Sequence, residues 1–209
     1  MIDLNHSQNL AVRPRAGCFH ELFVLLVLMM AGLGLMMVAG QVKAQTFTDL
    51  YSFSGGVWPY GGLVLSGKTL YGTARGGGSS GSGTVFAINT DATGFTNLHS
   101  FAAGSGEYPY ITNSDGVDPS GLVLSGNVLY ATAFTGGISG NGTVFAVNTD
   151  GTGFTNLHSF TATSGPGCCL NSDGAWPIAG LILSSNTLYG TASSFGSSGY
   201  GTEIGRAHV

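Results

Sequence analysis

The chain has 209 residues, of which 36 are glycine and only 8% are charged, with a formal net charge of −4. A hydrophobic fraction of 43% and an aromatic fraction of 11% provide enough apolar material for a packed core, which excludes a low-complexity linker and predicts a turn-rich, all-β chain. From residue 45 to residue 202, seven carboxylates face Lys68 and Arg75 as the only cations, so no basic patch exists to neutralise phosphates and nucleic acid is excluded as a partner.

In chain order, Arg13 and Arg15 precede the apolar run "LFVLLVLMMAGLGLMMVAG" from Leu22 to Gly40. "QVKA" then sets Val42 and Ala44 at the small-residue positions a signal peptidase reads, which predicts a signal helix over residues 1–44 and export of the remainder. The competing reading is an uncleaved anchor, since a run of that length can span a bilayer. Membrane contact is thus expected only through this segment or through an anchor beyond the sequence.

Residues 45–202 are repetitive. "FTDLYSF" (Phe47 to Phe53) returns as "FTNLHSF" at Phe95 and Phe154, and "GLVLSGKTLYGTA" returns as "GLVLSGNVLYATA" and "GLILSSNTLYGTA". Leu63, Leu122 and Leu181 are 59 residues apart, as are Thr84, Thr143 and Thr202. The spacing from Phe47 to Phe95 is 48, and the difference lies in one loop of variable length before the hairpin. The repeats are read as 47–94, 95–153 and 154–202.

Each repeat offers four strands. "GLVLS" and "TLYGTA" flank Gly-Lys, Gly-Asn or Ser-Asn, a two-residue hairpin turn that needs residues tolerant of positive φ. A Gly/Ser loop leads to "GTVFAVN", and the turn "TDGTG" leads to "FTNLHSF". The runs Leu122 to Leu124 and Val144 to Val147 are apolar at consecutive positions, so both faces of these strands are expected to be buried. Sheets sandwiched between neighbours satisfy that pattern, which predicts β-propeller-like tandem four-stranded antiparallel repeats, about two and a half blades of an incomplete ring. "FTDLYSF" arrives before any hairpin of its own and is expected to be the outermost strand of a further blade. Ring closure takes roughly 4 to 8 blades, so the repeats are expected to continue past Thr202. Residues 203–209, "EIGRAHV", lack the apolar run of the corresponding strand and back-translate to a sequencing-adapter read, which marks them as a non-native tail.

The stretches "LYGTARGGGSSGSGTVFAINTD" and "LYATAFTGGISGNGTVFAVNTDGTGFTNLHSF" resemble the choice-of-anchor tandem repeat family GloVer. The resemblance covers Phe47 to Thr202. It implies a secreted bacterial protein, held at the cell surface by a C-terminal anchor that is not seen in this sequence. It implies no activity for any residue.

Catalytic groups occur once per protein, whereas structural groups occur once per repeat. His99 and His158 share one strand position, occupied by Tyr51 in the first repeat, and are read as packing. Asp91 and Asp150 sit in "INTDATG" and "VNTDGTG", each with one carboxylate and one asparagine, too few full charges for calcium. "NSDG" at Asn113 and Asn171 reads as loop chemistry, and "RGGGSSGSG" lacks the lysine and helix of a phosphate loop. Cys168 and Cys169 are adjacent and offer no disulfide framework. No catalytic residue, metal ligand or cofactor is assigned.

Trp58 and Trp176 each precede proline, where the second repeat has Asp118. With Tyr60, Tyr108 and Tyr110 they form the candidate aromatic platform for an extracellular glycan or protein, against the plainer reading of tryptophans that cap their own blades. The expected function is a non-enzymatic binding or scaffolding module. The alternatives are calcium-dependent adhesion through the Asp turns, or a propeller enzyme, either a quinone-cofactor dehydrogenase or a polysaccharide hydrolase or lyase, whose catalytic residues lie mainly in further blades.

Overall fold

The computed structural model describes residues 47–164 and 170–208, so the expected signal segment 1–44 and Cys168 and Cys169 lie outside the described residues. The described part is all-β, without a helix. Three antiparallel sheets follow one another along the chain.

The first sheet contains β1 (Val64–Ser66), β2 (Thr69–Ala74), β3 (Thr84–Asn89) and β4 (Thr96–Ser100), paired in chain order. The second contains β5 (Val117–Pro119), β6 (Val123–Ser125), β7 (Val128–Thr135), β8 (Thr143–Asn148) and β9 (Thr155–Ser159). The third contains β10 (Ile182–Ser184), β11 (Thr187–Ala192) and β12 (Thr202–His208). The strand, hairpin, strand, loop, strand, turn, strand order read from the repeats is the meander observed. Gly67, Gly126 and Ser185 occupy the hairpin turns with φ of +58°, +56° and +52°, the left-handed geometry that a two-residue loop requires.

β5 is a strand the repeat pattern did not announce. It pairs with β7 through Val117↔Thr135 and Pro119↔Ala133, and single bridges Pro59↔Ala74 and Ala175↔Ser194 hold the corresponding places in the other two sheets. "FTDLYSF", expected as a strand, forms no ladder: a strand needs a partner backbone, and among the described residues none runs beside it. β12 pairs with β11 as β3 does with β2, but with a register shift at Leu188/Tyr189 that β2–β3 and β7–β8 lack.

The apolar residues sit between sheets. One cluster joins Tyr71, Val85 and Ala87 of the first sheet to Phe101, Leu122, Leu129, Ala131, Ala133, Phe145 and Val147. A second joins Val144 and Phe160 to Leu181, Leu188 and Ala192. A third packs Phe86 and Ile88 against Leu50, Phe53 and Val57 of the incoming chain. Val85–Ile88 and Val144–Val147 are therefore buried on both faces, because each sheet lies between two layers. Leu122 buries at the first junction and Leu181 at the second, whereas Leu63 remains 53% exposed.

The same small contacts recur at both junctions. Thr73 Oγ1 donates to the Ser120 carbonyl at 2.8 Å, and Thr132 Oγ1 donates to Pro177 O at 3.3 Å. Asp118 N–H donates to Ser82 O at 3.0 Å, and Trp176 N–H donates to Asn141 O at 2.9 Å. Outer strands also join by stacking: Tyr51 lies on Phe95 with centroids 4.0 Å apart, and His99 lies on Phe154 at 3.7 Å.

Candidate functional site

The titratable residues divide into those that recur and those that do not. His99 Nε2 lies 3.0 Å from Asp115 Oδ2, and His158 Nε2 lies 2.8 Å from Asp173 Oδ2. Each Asp also accepts a backbone N–H just after the histidine strand, from Ala102 and from Thr161. Two residues before each Asp, an Asn side chain closes the loop. Asn113 Nδ2 donates to Ala102 O and Gly116 O at 3.0 and 2.7 Å, while its Oδ1 accepts from Gly116 and Gly137 N–H. Asn171 repeats this with Thr161, Gly174 and Gly196. "NSDG" is thus a clasp that ties the variable loop to the preceding outer strand. The first repeat has no such sequence, and a depression of about 130 Å³ lined by Tyr51, Phe53, Ser54, Val57, Phe95 and Asn97 occurs there.

Asp91 and Asp150 are turn residues. Asp91 Oδ1 accepts Thr93 Oγ1–H at 2.6 Å and Thr93 N–H at 3.0 Å, and Asp150 does the same with Thr152. These bonds, the hydroxyl's first, hold both carboxyls below the ordinary carboxylate value. In each, Oδ1 is engaged within the turn.

Four of the five predicted aromatic residues, Tyr60, Tyr108, Tyr110 and Trp176, are linked through two residues outside the original set. Arg75 directly follows β2, and its guanidinium lies 3.9 Å above the Tyr60 ring centroid and 5.8 Å from that of Phe134. Phe134 is followed by Tyr108 at 6.3 Å and Trp176 at 6.0 Å, and Trp176 by Tyr110 at 6.1 Å and Phe195 at 4.9 Å. Tyr60, Tyr108, Tyr110 and Trp58 are exposed; Trp176 is half-buried, with its Nε1 buried and unpartnered. Trp58 stands apart from this chain of rings. Its carbonyl accepts Arg75 N–H at 2.8 Å and its ring borders Gly76.

Asp118 occupies the place of the tryptophans, with φ of +59° where Trp176 has +58°. Burial pushes its carboxyl above the ordinary value, an effect that the Arg75 charge opposes. Folding therefore favours the protonated form. That contribution is complete below the unfolded carboxylate's range and is lost as pH rises through the raised value. The Asp118→Asn variant is expected to melt at or above the parent temperature above pH ~6, the difference closing near pH ~3. Thermal melts across that range check it, and a variant that melts lower at neutral pH would contradict it.

Stacked antiparallel sheets joined by the same loop, threonine and aromatic contacts at each junction define a tandem β-repeat protein. The profile of the Gloeobacter/Verrucomicrobia repeat matches residues 33–202, and the chain belongs to that repeat family. Among curated proteins none matches it.

Sequence reasoning missed Arg75 as a rim residue and Asn113 and Asn171 as clasps. The signal for the clasps was the recurrence of "NSDG" at nearly the same distance from the histidine, 14 residues from His99 to Asn113 and 13 from His158 to Asn171. The signal for Arg75 was the opposite, a charge where the other repeats place Phe134 and Ser193.

Proposed function

We propose that this protein is an exported, non-enzymatic β-propeller of the choice-of-anchor kind, with residues 1–44 as its signal peptide, which binds an extracellular glycan or protein at the cell surface. Two features support the propeller arrangement. Each sheet is sandwiched face to face with the next through one repeated set of contacts. Tyr51 stacks on Phe95 as His99 stacks on Phe154, so the incoming segment holds the place of a preceding blade's outer strand.

The observation that carries the binding reading is the rim itself: Tyr60, Tyr108 and Tyr110 are exposed, yet their rings are held through Arg75, Phe134 and Trp176. Rings in loops that neighbouring rings and a guanidinium hold in place lose less entropy when a ligand stacks on them than free ones would. The histidine–carboxylate pairs, which would be the natural acid–base groups of an enzyme, instead close loops in two successive repeats.

The test is a panel of soluble polysaccharides, read for retention of the protein and for new reducing ends. Retention without product is expected. Release of reducing ends would contradict the non-enzymatic reading and favour the hydrolase alternative.

A further inference from the structure

Two charged residues in the sheet region break the repeat and face the same place. At the end of the inner hairpin the three repeats carry Arg75, Phe134 and Ser193; before the rim proline they carry Trp58, Asp118 and Trp176. Asp118 belongs to the second sheet, but the junction delivers it to Arg75. Its N–H is bound to Ser82 O, and Pro119 Cδ lies 2.4 Å from where a Cβ on Gly83 would be, with the Ala74 carbonyl 2.8 Å from the same point. The carboxylates and histidines of the clasps and turns come in repeated sets and have structural partners. Arg75 and Asp118 do not.

Neither charge is satisfied by a close partner. No carboxylate lies within 4.0 Å of the Arg75 guanidinium among the described residues, and Arg75 Nε is buried without a hydrogen-bond partner. A half-buried arginine held beneath a tyrosine ring and separated from a half-buried aspartate is a poor stability device, because both charges are desolvated without a hydrogen bond between them. It is a good recognition device. The guanidinium offers donors, the carboxylate offers acceptors, and Tyr60, Phe134 and Tyr108 offer apolar faces at one edge.

We propose that Arg75 and Asp118 form the polar centre of a binding site for a neutral saccharide at the junction of the first and second sheets, with Tyr60 and Tyr108 as its stacking walls. This rests on the glycan form of the binding reading and names its ligand class. A sugar ring presents an apolar face edged by hydroxyls that both donate and accept, matching rings flanked by one donor and one acceptor group. The two charges cancel locally, and the surrounding repeats carry a clear excess of carboxylates over cations, which disfavours a polyanionic glycan.

The test is native affinity electrophoresis of the full chain in mild detergent, through gels containing hydroxyethylcellulose, mannan or polygalacturonate. The variants are Arg75→Met, Asp118→Asn and Tyr60→Ala, with Lys68→Met as the control. Retardation by a neutral polysaccharide is expected, weakened roughly tenfold or more by Arg75→Met and by Asp118→Asn while Lys68→Met is unchanged. Because Asp118→Asn keeps the parent's shape and is expected to melt no lower at neutral pH, weakened binding in that variant reports a lost contact and not a lost fold. Unchanged retardation in both charge variants would overturn this site while leaving the binding reading intact. Retardation by polygalacturonate alone would overturn the neutral class, and retardation by none of the three would overturn the glycan reading as well.

Discussion

Phe101→Ala is expected to destabilise the repeats by about 3–5 kcal/mol, the range for truncating a fully buried phenylalanine. Phe101 is 0% exposed and follows directly on β4, its N–H bound to Gly83 O at 3.1 Å. Its ring meets Phe145 edge-on at 5.1 Å, His99 at 4.8 Å and Phe154 at 5.8 Å, so it belongs to the first sheet's strand while filling the second sheet's core. Removing it opens a cavity at the junction, where neither sheet can collapse without breaking Thr73 and Asp118 contacts. Chemical denaturation measures the loss. A cost below about 1 kcal/mol would mean that the two sheets are not packed through this residue.

Gly142→Ala is expected to cost about 2–5 kcal/mol, from a left-handed backbone forced on an alanine together with overpacking. Gly142 has φ of +100°, and an added Cβ would sit 2.6 Å from Ala133 O, 2.6 Å from Pro177 Cδ and 2.9 Å from Phe134 O. Ala133 and Phe134 are fixed in β7, and Pro177 is the point at which the third sheet's rim loop touches the second. None of these atoms is the free end of a flexible side chain, so the clash can be relieved only by separating the sheets or distorting β7. Gly126→Ser is the natural comparison. Gly126 has φ of +56° with nothing within 4 Å of its added Cβ, and the third repeat already places Ser185 in that turn at +52°. Its expected cost is about 1–2 kcal/mol at most, the left-handed backbone alone with no overpacking. Equal costs at the two glycines would contradict the sheet-to-sheet packing at Gly142.

The strands were legible because recurrence supplies what a single copy does not. Three versions of "GLVLSGKTLYGTA" fix the hairpin through Gly67, Gly126 and Ser185, and consecutive apolar residues at Val144–Val147 announce burial on both faces. The brief strand at Val117–Pro119 was not legible, since three residues around a proline carry no periodicity and its pairing depends on where β7 lies. The histidines were read as packing, and that is half of their role; their carboxylate partners sit in a loop of variable length, 16 and 15 residues further along the chain. For the rim, the exposed aromatics were named from the sequence. Arg75 and Phe134 were not, because a cation–ring contact between adjacent sheets follows from how the sheets stack and leaves no mark in local spacing.

Each repeat docks on its predecessor through the same backbone contact, with the proposed saccharide site at the first such junction. Native-state hydrogen exchange tests this at two amides. Asp118 N–H, in the middle of β5 and bound to Ser82 O, and Trp176 N–H, a loop amide bound to Asn141 O, both donate to the neighbouring sheet and not to a ladder of their own. Protection comparable to that of the β2–β3 and β7–β8 ladder amides is the result expected. Exchange of both at the rate of an open loop, while the ladders stay protected, would contradict it.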